Sequence, residues 1–169
     1  HADQFEIDIN KIAVGGDSAG GNLATCLCIK RIEDEKLQPE RQILFYPGVD
    51  SGGDYESIKT FTDGYFLLTK ELLEWFVNNY LDEKDYTNIY AAPMNYQKLD
   101  LVPPALIITA GFDPLRDEGK AYADTLKQAG VKVDYKEYSS LIHGFLNFTI
   151  APECFEAMEE ISEKIRSIN

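Results

Sequence analysis

The residues with the strongest chemical character lie in Gly16–Gly20 (GDSAG), a G-x-S-x-G pattern. It follows the apolar run Lys11–Gly15 and opens an amphipathic segment, Leu23–Ile32, so Ser18 is expected at a sharp turn between a strand and a helix. At such a turn the serine is open to substrate, and the N–H of Ala19 faces the oxygen that becomes negative. A phosphate-binding turn is the alternative, but no Lys follows the glycines. The pattern therefore indicates a nucleophilic serine.

A nucleophilic serine needs a base, and histidine is the usual one. The chain has two histidines, His1 at its first position and His143, so His143 is the candidate base. The acid that orients the imidazole is predicted to be Asp113, which follows an apolar run and lies between the serine and the histidine. Asp117 is better explained as a first-turn charge on the next helix, and Asp50 follows another predicted strand. The order Ser, Asp, His along the chain is that of the α/β-hydrolases.

The elements that must position these side chains alternate between strands and helices. The predicted strands are Lys11–Gly15, Ile43–Tyr46, Ala105–Ala110 and Val131–Tyr138, and the predicted helices include Leu23–Ile32, Glu118–Ala129 and a last helix from Pro152. The third strand is apolar throughout, which predicts burial on both faces, whereas the fourth alternates as an edge strand does. This order predicts an α/β fold with a mostly parallel sheet flanked by helices.

One connection is much longer than the others. Residues 48–103 separate the second and third predicted strands and carry an amphipathic helix of their own, Lys70–Leu81. The apolar side of that helix consists of Leu72, Leu73, Phe76, Val77 and Tyr80. Because most connections of this length are functional, we expect a cap or lid, with an extra packing layer as the alternative. The chain is thus expected to be one α/β domain over residues 1–169 with a cap-like insert over 48–103.

Three segments resemble the signatures of the hormone-sensitive-lipase-like (family IV) esterases. They are Gly15–Ala24 (GGDSAGGNLA), Asp113–Gly119 (DPLRDEG) and His143–Phe145 (HGF), and the segments Gly64–Thr69 and Ala91–Pro93 are similar to the cap of that family. The resemblance implies an α/β-hydrolase fold and ester hydrolysis without a cofactor. It assigns the nucleophile to Ser18, the acid to Asp113 and the base to His143.

The same resemblance implies a longer parent. Esterases of this kind carry an H-G-G-G oxyanion loop upstream of the serine, whereas 17 residues precede Ser18 here, and Ser51–Gly53 has no leading histidine. The chain is therefore similar to the C-terminal part of such an enzyme. Ala19 is the one oxyanion donor that we recognise, so the isolated chain is expected to be impaired. Asn22 and the Ser51–Gly53 turn are the first places to look for another donor.

Composition argues against several other classes. The 16 basic and 29 acidic side chains leave a net charge of −13, which would repel nucleic acid. No apolar run is long enough to span a membrane. The scarcity of histidine disfavours a zinc site, so no metal is expected. Cys26, Cys28 and Cys154 all lie in predicted helices, which indicates buried thiols and a reducing, cytoplasmic location rather than disulfides.

The predicted function is hydrolysis of small or medium carboxylic esters through an acyl-enzyme. Two alternatives stay open: a catalytically silent module that acts by association, and a peptidase or acyltransferase on the same fold. The resemblance also implies dimers at the Val131–Tyr138 edge, and an uncovered Lys11–Gly15 strand would pair with other chains. We therefore expect a homo-oligomer, or pairing with an N-terminal part of the enzyme, and not a monomer.

Overall fold

The computed structural model describes residues 2–63, 67–82, 85–148 and 151–167, and its centre is a sheet of four parallel strands. In the spatial order of the sheet they are β1 (Ala13–Asp17), β2 (Arg41–Phe45), β3 (Ala105–Phe112) and β4 (Val133–Ile142). The α-helices described are α1 (Ala19–Glu33), α2 (Glu56–Phe61), α3 (Lys70–Tyr80), α4 (Arg116–Gln128) and α5 (Pro152–Arg166). The predicted α/β fold with a parallel sheet is confirmed.

The bounds of the first strand differ from the prediction, which began it at Lys11. That residue ends a 3₁₀ turn, in which the Asp8 side chain accepts the N–H of Asn10. The strand instead continues to Asp17, because parallel pairing with β2 extends as far as the Asp17–Phe45 pair. Strand β4 likewise continues beyond the predicted end, since its pairing with β3 resumes after an irregularity.

The sheet separates two apolar layers. Residues 105–111 of β3 are all buried, and alternate side chains face opposite layers: Ile107 packs with α1 and α4, whereas Leu106 and Ile108 pack with α5. A buried hydrogen bond of 2.6 Å between Thr25 and Tyr122 ties α1 to α4. Burial of β3 on both faces, as predicted, makes it the rigid centre from which the site is built.

The connection between β2 and β3 lies partly in these layers: Val49, Tyr96, Leu99 and Val102 are buried with α1 and α4, whereas helix α3 lies outside. Helix α3 forms as predicted, with the Thr69 side chain accepting the N–H of Leu72 at its N-terminus, but none of its residues is buried. On its apolar side Leu73 and Val77 are half-buried, whereas Leu72, Phe76 and Tyr80 are exposed, so the described residues leave most of this side uncovered. Residues Gly64, Tyr65 and Phe66 of the predicted cap segment lie outside the described residues.

Helix α5 packs on the sheet along only part of its length. In α5 the buried side chains are Cys154, Ala157 and Ile161, whereas Ile165, one turn further on, is exposed. Strand β4 is an outer strand, as its alternation predicts, and β1 is the outer strand on the other side. None of the helices in the described ranges has the length and apolar character that crossing a bilayer requires.

Candidate active site

Ser18 lies on a strained turn between β1 and α1. Its backbone has φ 53° and ψ −120°, which a residue with a side chain rarely adopts. Its N–H donates to the carbonyl of Phe45 (2.8 Å), and its carbonyl accepts the N–H of Gly48 (3.4 Å). The end of β2 therefore holds the turn from both sides. Strain that is held in this way is typical of functional sites.

Close packing around this turn depends on two glycines, of which only one is a glycine of the G-x-S-x-G pattern. A Cβ on Gly16 would lie 2.3 Å from the backbone of Gly20, and a Cβ on Gly21 would lie 2.7 Å from the Cβ of Pro47. A Cβ on Gly20 would meet its nearest neighbour, the Asp17 carboxylate, at an ordinary 3.8 Å. Gly16 and Gly21 therefore allow the strand, the helix and the Pro47 turn to approach one another. The other glycine of the pattern, Gly20, is not needed for this packing.

Strands β3 and β4 bring Asp113 and His143 to the same level at the carboxyl edge of the sheet. Their register is regular as far as Ala110 and then shifts, so that Phe112 pairs with Ile142. Asp113 and His143 are the residues that directly follow this last pair. The two side chains therefore leave adjacent strands side by side.

Gly111 makes the shift of register possible. Opposite this glycine β4 contains two residues more than β3, and a Cβ on Gly111 would lie 2.1 Å from the carbonyl oxygen of Ser139. Without the bulge, two residues of strand would carry His143 about 7 Å past Asp113. The bulge thus brings the side chains of Asp113 and His143 to the same level.

The side chains of Ser18, Asp113 and His143 form a continuous hydrogen-bonded chain. The Nδ1 of His143 lies 2.8 Å from Oδ2 of Asp113, and its Nε2 lies 2.9 Å from the Oγ of Ser18. A carboxylate only accepts hydrogen bonds, so Nδ1 carries the proton and Nε2 accepts the Ser18 hydroxyl. Asp113 is fully buried, and its Oδ1 accepts the N–H of Leu115 at 2.8 Å. The arrangement can take a proton from the serine.

The other two acids considered from the sequence are engaged elsewhere. Asp117 accepts the N–H of Ser57 (2.9 Å) and a hydrogen bond from Arg116 (2.8 Å). Burial acts to raise the pKa of Asp117, but these hydrogen bonds outweigh it and leave that pKa lowered. Asp50 accepts the hydroxyl of Tyr55 at 2.8 Å. Asp113 is therefore the acid of the three that contacts the imidazole.

Of the candidate oxyanion donors in the described residues, the N–H of Ala19 is free, whereas the Asn22 amide and the Ser51 hydroxyl already donate to carbonyl groups. Within the described part of the chain the N–H of Ala19, at the start of α1, has no acceptor. The Asn22 amide instead donates to the carbonyls of Gly48 and Ala91, both at 2.8 Å. The Ser51 hydroxyl donates to the Ala91 carbonyl as well. Neither the Asn22 amide nor the Ser51 hydroxyl is therefore free to stabilise an oxyanion.

The sequence reasoning missed Glu118, a buried carboxyl group near the site. It lies on the first turn of α4 and is 2% exposed, and its Oε1 accepts the N–H groups of Val49 (2.6 Å) and Asp50 (3.3 Å). Burial raises the pKa of Glu118 to about 8, and the charges of Asp50 and Asp113 add to the rise, against the effect of those two hydrogen bonds. The sequence did contain a signal for Glu118, because this glutamate is part of the Asp113–Gly119 segment that resembles a family signature.

The cysteine side chains are unreactive, and the described residues offer no metal-binding cluster. The thiols of Cys26, Cys28 and Cys154 are buried and unpaired by disulfides. Burial raises the pKa of Cys26 to about 11 and that of Cys28 to about 12, so neither is a reactive thiolate at neutral pH. The described residues include no group of three or more His, Cys, Asp or Glu arranged to hold a metal ion.

Comparisons with known proteins agree on one family. A family model described as alpha/beta hydrolase fold matches residues 1–147. Among curated relatives, the carboxylic ester hydrolase LipN of Mycobacterium tuberculosis is 41% identical over 152 residues, which is 86% of this chain and 40% of that protein. The ethyl acetate hydrolase of Pseudomonas putida is 33% identical over 168 residues, 98% of this chain and 52% of that protein. The chain spans about half the length of the curated relatives it matches.

Solved structures give the same result. A hyperthermophilic esterase from Pyrobaculum calidifontis superposes with a TM-score of 0.92 at 40% identity, over 98% of this chain and 55% of that one. A fungal esterase from Rhizomucor miehei gives a TM-score of 0.91 at 37% identity, over 99% of this chain and 53% of that one. The architecture described above is therefore shared with about half of each of these esterases.

Proposed function

This chain belongs to the α/β-hydrolase fold family, and from that premise we propose that it carries the catalytic machinery of a carboxylic-ester hydrolase. The single observation that carries the proposal is the hydrogen-bonded chain from Ser18 through His143 to Asp113. The names of its relatives, which include a carboxylic ester hydrolase and an ethyl acetate hydrolase, support ester substrates.

The first half of the proposed reaction forms an acyl-enzyme. The Nε2 of His143 takes the proton of Ser18 as its Oγ attacks the ester carbonyl, and Asp113 stabilises the imidazolium that results. The carbonyl oxygen becomes negative next to the Ala19 N–H, at the positive end of the α1 dipole. Collapse of the tetrahedral intermediate expels the alcohol, which receives the proton from His143. The acyl group is then bonded to Ser18.

Water completes the cycle through the same groups. His143 removes a proton from the water molecule as its oxygen attacks the acyl carbonyl, and a second tetrahedral intermediate forms. The proton then returns to the Oγ of Ser18, and the carboxylic acid leaves. Each step needs only the three side chains and an oxyanion donor, so the proposal includes neither a metal nor a cofactor.

We also propose that the insert over 48–103 acts as a cap that favours small or medium apolar esters. Leu67 of this insert lies 3.5 Å from where a Cβ of Gly144 would be, directly beside His143. Phe61, at the end of α2, packs edge-to-face on Phe112, which precedes Asp113. These apolar side chains next to the triad suit the hydrocarbon parts of an ester.

The test is hydrolysis of p-nitrophenyl acetate together with labelling by a fluorophosphonate probe. Ser18→Ala is expected to abolish both, because no other hydroxyl contacts His143 in the described residues. Ser51→Ala is the matched control and should keep both activities, since the Ser51 hydroxyl only holds the Ala91 carbonyl. A folded protein that never labels would support the silent module instead, and amide hydrolysis as fast as ester hydrolysis would support a peptidase.

A further inference from the structure

Tyr46 occupies the position on β2 that corresponds to Ser18 on β1. Asp17 and Phe45 are paired in the sheet, and Ser18 and Tyr46 are the next residue on each strand. Both residues have positive φ, 53° for Ser18 and 37° for Tyr46. The Tyr46 N–H donates to the carbonyl of Ile108 on β3 at 2.6 Å, so the neighbouring strand holds this backbone in place. Two adjacent strands thus end in strained corners at the same level.

The side chain of Tyr46 lies against the imidazole of the triad. Its ring centroid is 4.9 Å from that of His143, with the two planes at 61°. The ring also packs against Phe145, with centroids 5.4 Å apart. Tyr46 and Phe145 are fully buried, so the ring of Tyr46 has no room to turn away. The imidazole therefore contacts a fixed aromatic surface.

Packing alone does not account for the backbone conformation of Tyr46. A positive φ is rare and unfavourable for a bulky residue. Strain of this kind clusters at functional sites, where the surrounding structure holds it.

We propose that Tyr46 is a positioning residue, whose ring holds the imidazole of His143 in the orientation that directs Nε2 at Ser18. This inference rests on the proposed hydrolase function. Asp113 fixes one ring nitrogen by a hydrogen bond but leaves the imidazole free to tilt about that bond. The ring of Tyr46 restricts this tilt, because it contacts the imidazole from a direction that the hydrogen bond does not control.

The test compares Tyr46→Phe, which keeps the ring, with Tyr46→Leu, which removes it. For p-nitrophenyl acetate, Tyr46→Phe should stay within about twofold of the unchanged protein, whereas Tyr46→Leu should lower kcat at least ~10-fold at nearly constant KM. The control is Tyr122→Leu, the same loss of a fully buried ring in the opposite layer. It should lower the unfolding midpoint without lowering kcat per folded molecule.

Hydrolysis that is undiminished in Tyr46→Leu, or equally diminished in Tyr122→Leu, overturns this inference alone. Absence of Ser18-dependent hydrolysis in the unchanged protein overturns the proposed function, and this inference with it. If Tyr46→Leu does not fold, NMR of the unchanged protein decides. Nuclear Overhauser contacts between the imidazole C–H protons of His143 and the ring protons of Tyr46 are expected, and their absence refutes the positioning role.

Discussion

Replacing Glu118 by glutamine should change how the stability of the protein depends on pH. Glutamine has the shape of a protonated glutamate, and its carbonyl oxygen can still accept the N–H groups of Val49 and Asp50. In the native protein burial raises the pKa of Glu118 from 4.5 to about 8, whereas the unfolded chain exposes it to water. The native state therefore keeps a proton that the unfolded state loses between pH 4.5 and pH 8.

The sign and the size of the effect follow from that difference. The stabilisation due to Glu118 is fully present below pH 4.5 and is lost as the pH rises through about 8. At about 1.4 kcal/mol for each pKa unit, the rise from 4.5 to about 8 corresponds to ~5 kcal/mol of unfolding free energy. Glu118→Gln does not titrate, so it should become more stable relative to the unchanged protein by about 1.4 kcal/mol for each pH unit in that interval.

Urea unfolding at a series of pH values, for both proteins, measures this difference directly. The difference should rise between pH 4.5 and 8 and be constant above that interval. Glu156→Gln makes the same chemical change on the exposed surface of α5 and reports the effect of net charge alone. A difference for Glu118→Gln that does not vary with pH would show that the carboxyl group is as easily ionised in the native protein as in the unfolded chain, and the reasoning would be refuted.

Three further outcomes are expected. Gly16→Ala should prevent folding or abolish hydrolysis, whereas Gly20→Ala should fold and keep its activity, as judged by circular dichroism and p-nitrophenyl acetate turnover, because only the first Cβ has no space. Asp113→Asn should lower kcat by ~10⁴-fold with little change in KM, since an asparagine side chain favours the wrong imidazole tautomer. The 169 residues alone should hydrolyse p-nitrophenyl acetate at least about 100-fold more slowly than a longer parent that supplies a second oxyanion donor; equal rates would mean that another donor exists.

Much of the site could be predicted from the sequence because its components are local patterns. The Gly16–Gly20 segment shows a strand, a turn and a helix in immediate succession, and the structure has all three. The side chains of Asp113 and His143 follow strand-like runs and do meet that of Ser18. The resemblance to the hormone-sensitive-lipase-like esterases is confirmed by the family match and by the solved esterases.

The features that could not be predicted depend on contacts between distant segments. The need for glycine at position 21 comes from Pro47, and that at position 111 comes from Ser139. The hydrogen bonds of Glu118 join the start of α4 to the turn after β2, which are far apart in sequence. Periodicity along one helix also says nothing about what covers its apolar side, so the exposed side of α3 could be recognised as apolar but not as uncovered.

The bulge opposite Gly111 is needed for the geometry of the active site, but it lowers the stability of the sheet. A substitution that straightened β4 at unchanged length would continue the regular pairing beyond Ala110 and add ladder hydrogen bonds, yet it would carry His143 past Asp113. Selection for thermal resistance alone would therefore favour a chain that folds better and does not react. Directed evolution for stability should be run with an activity screen at every round, because straightening this strand would raise the stability of the protein and abolish its activity.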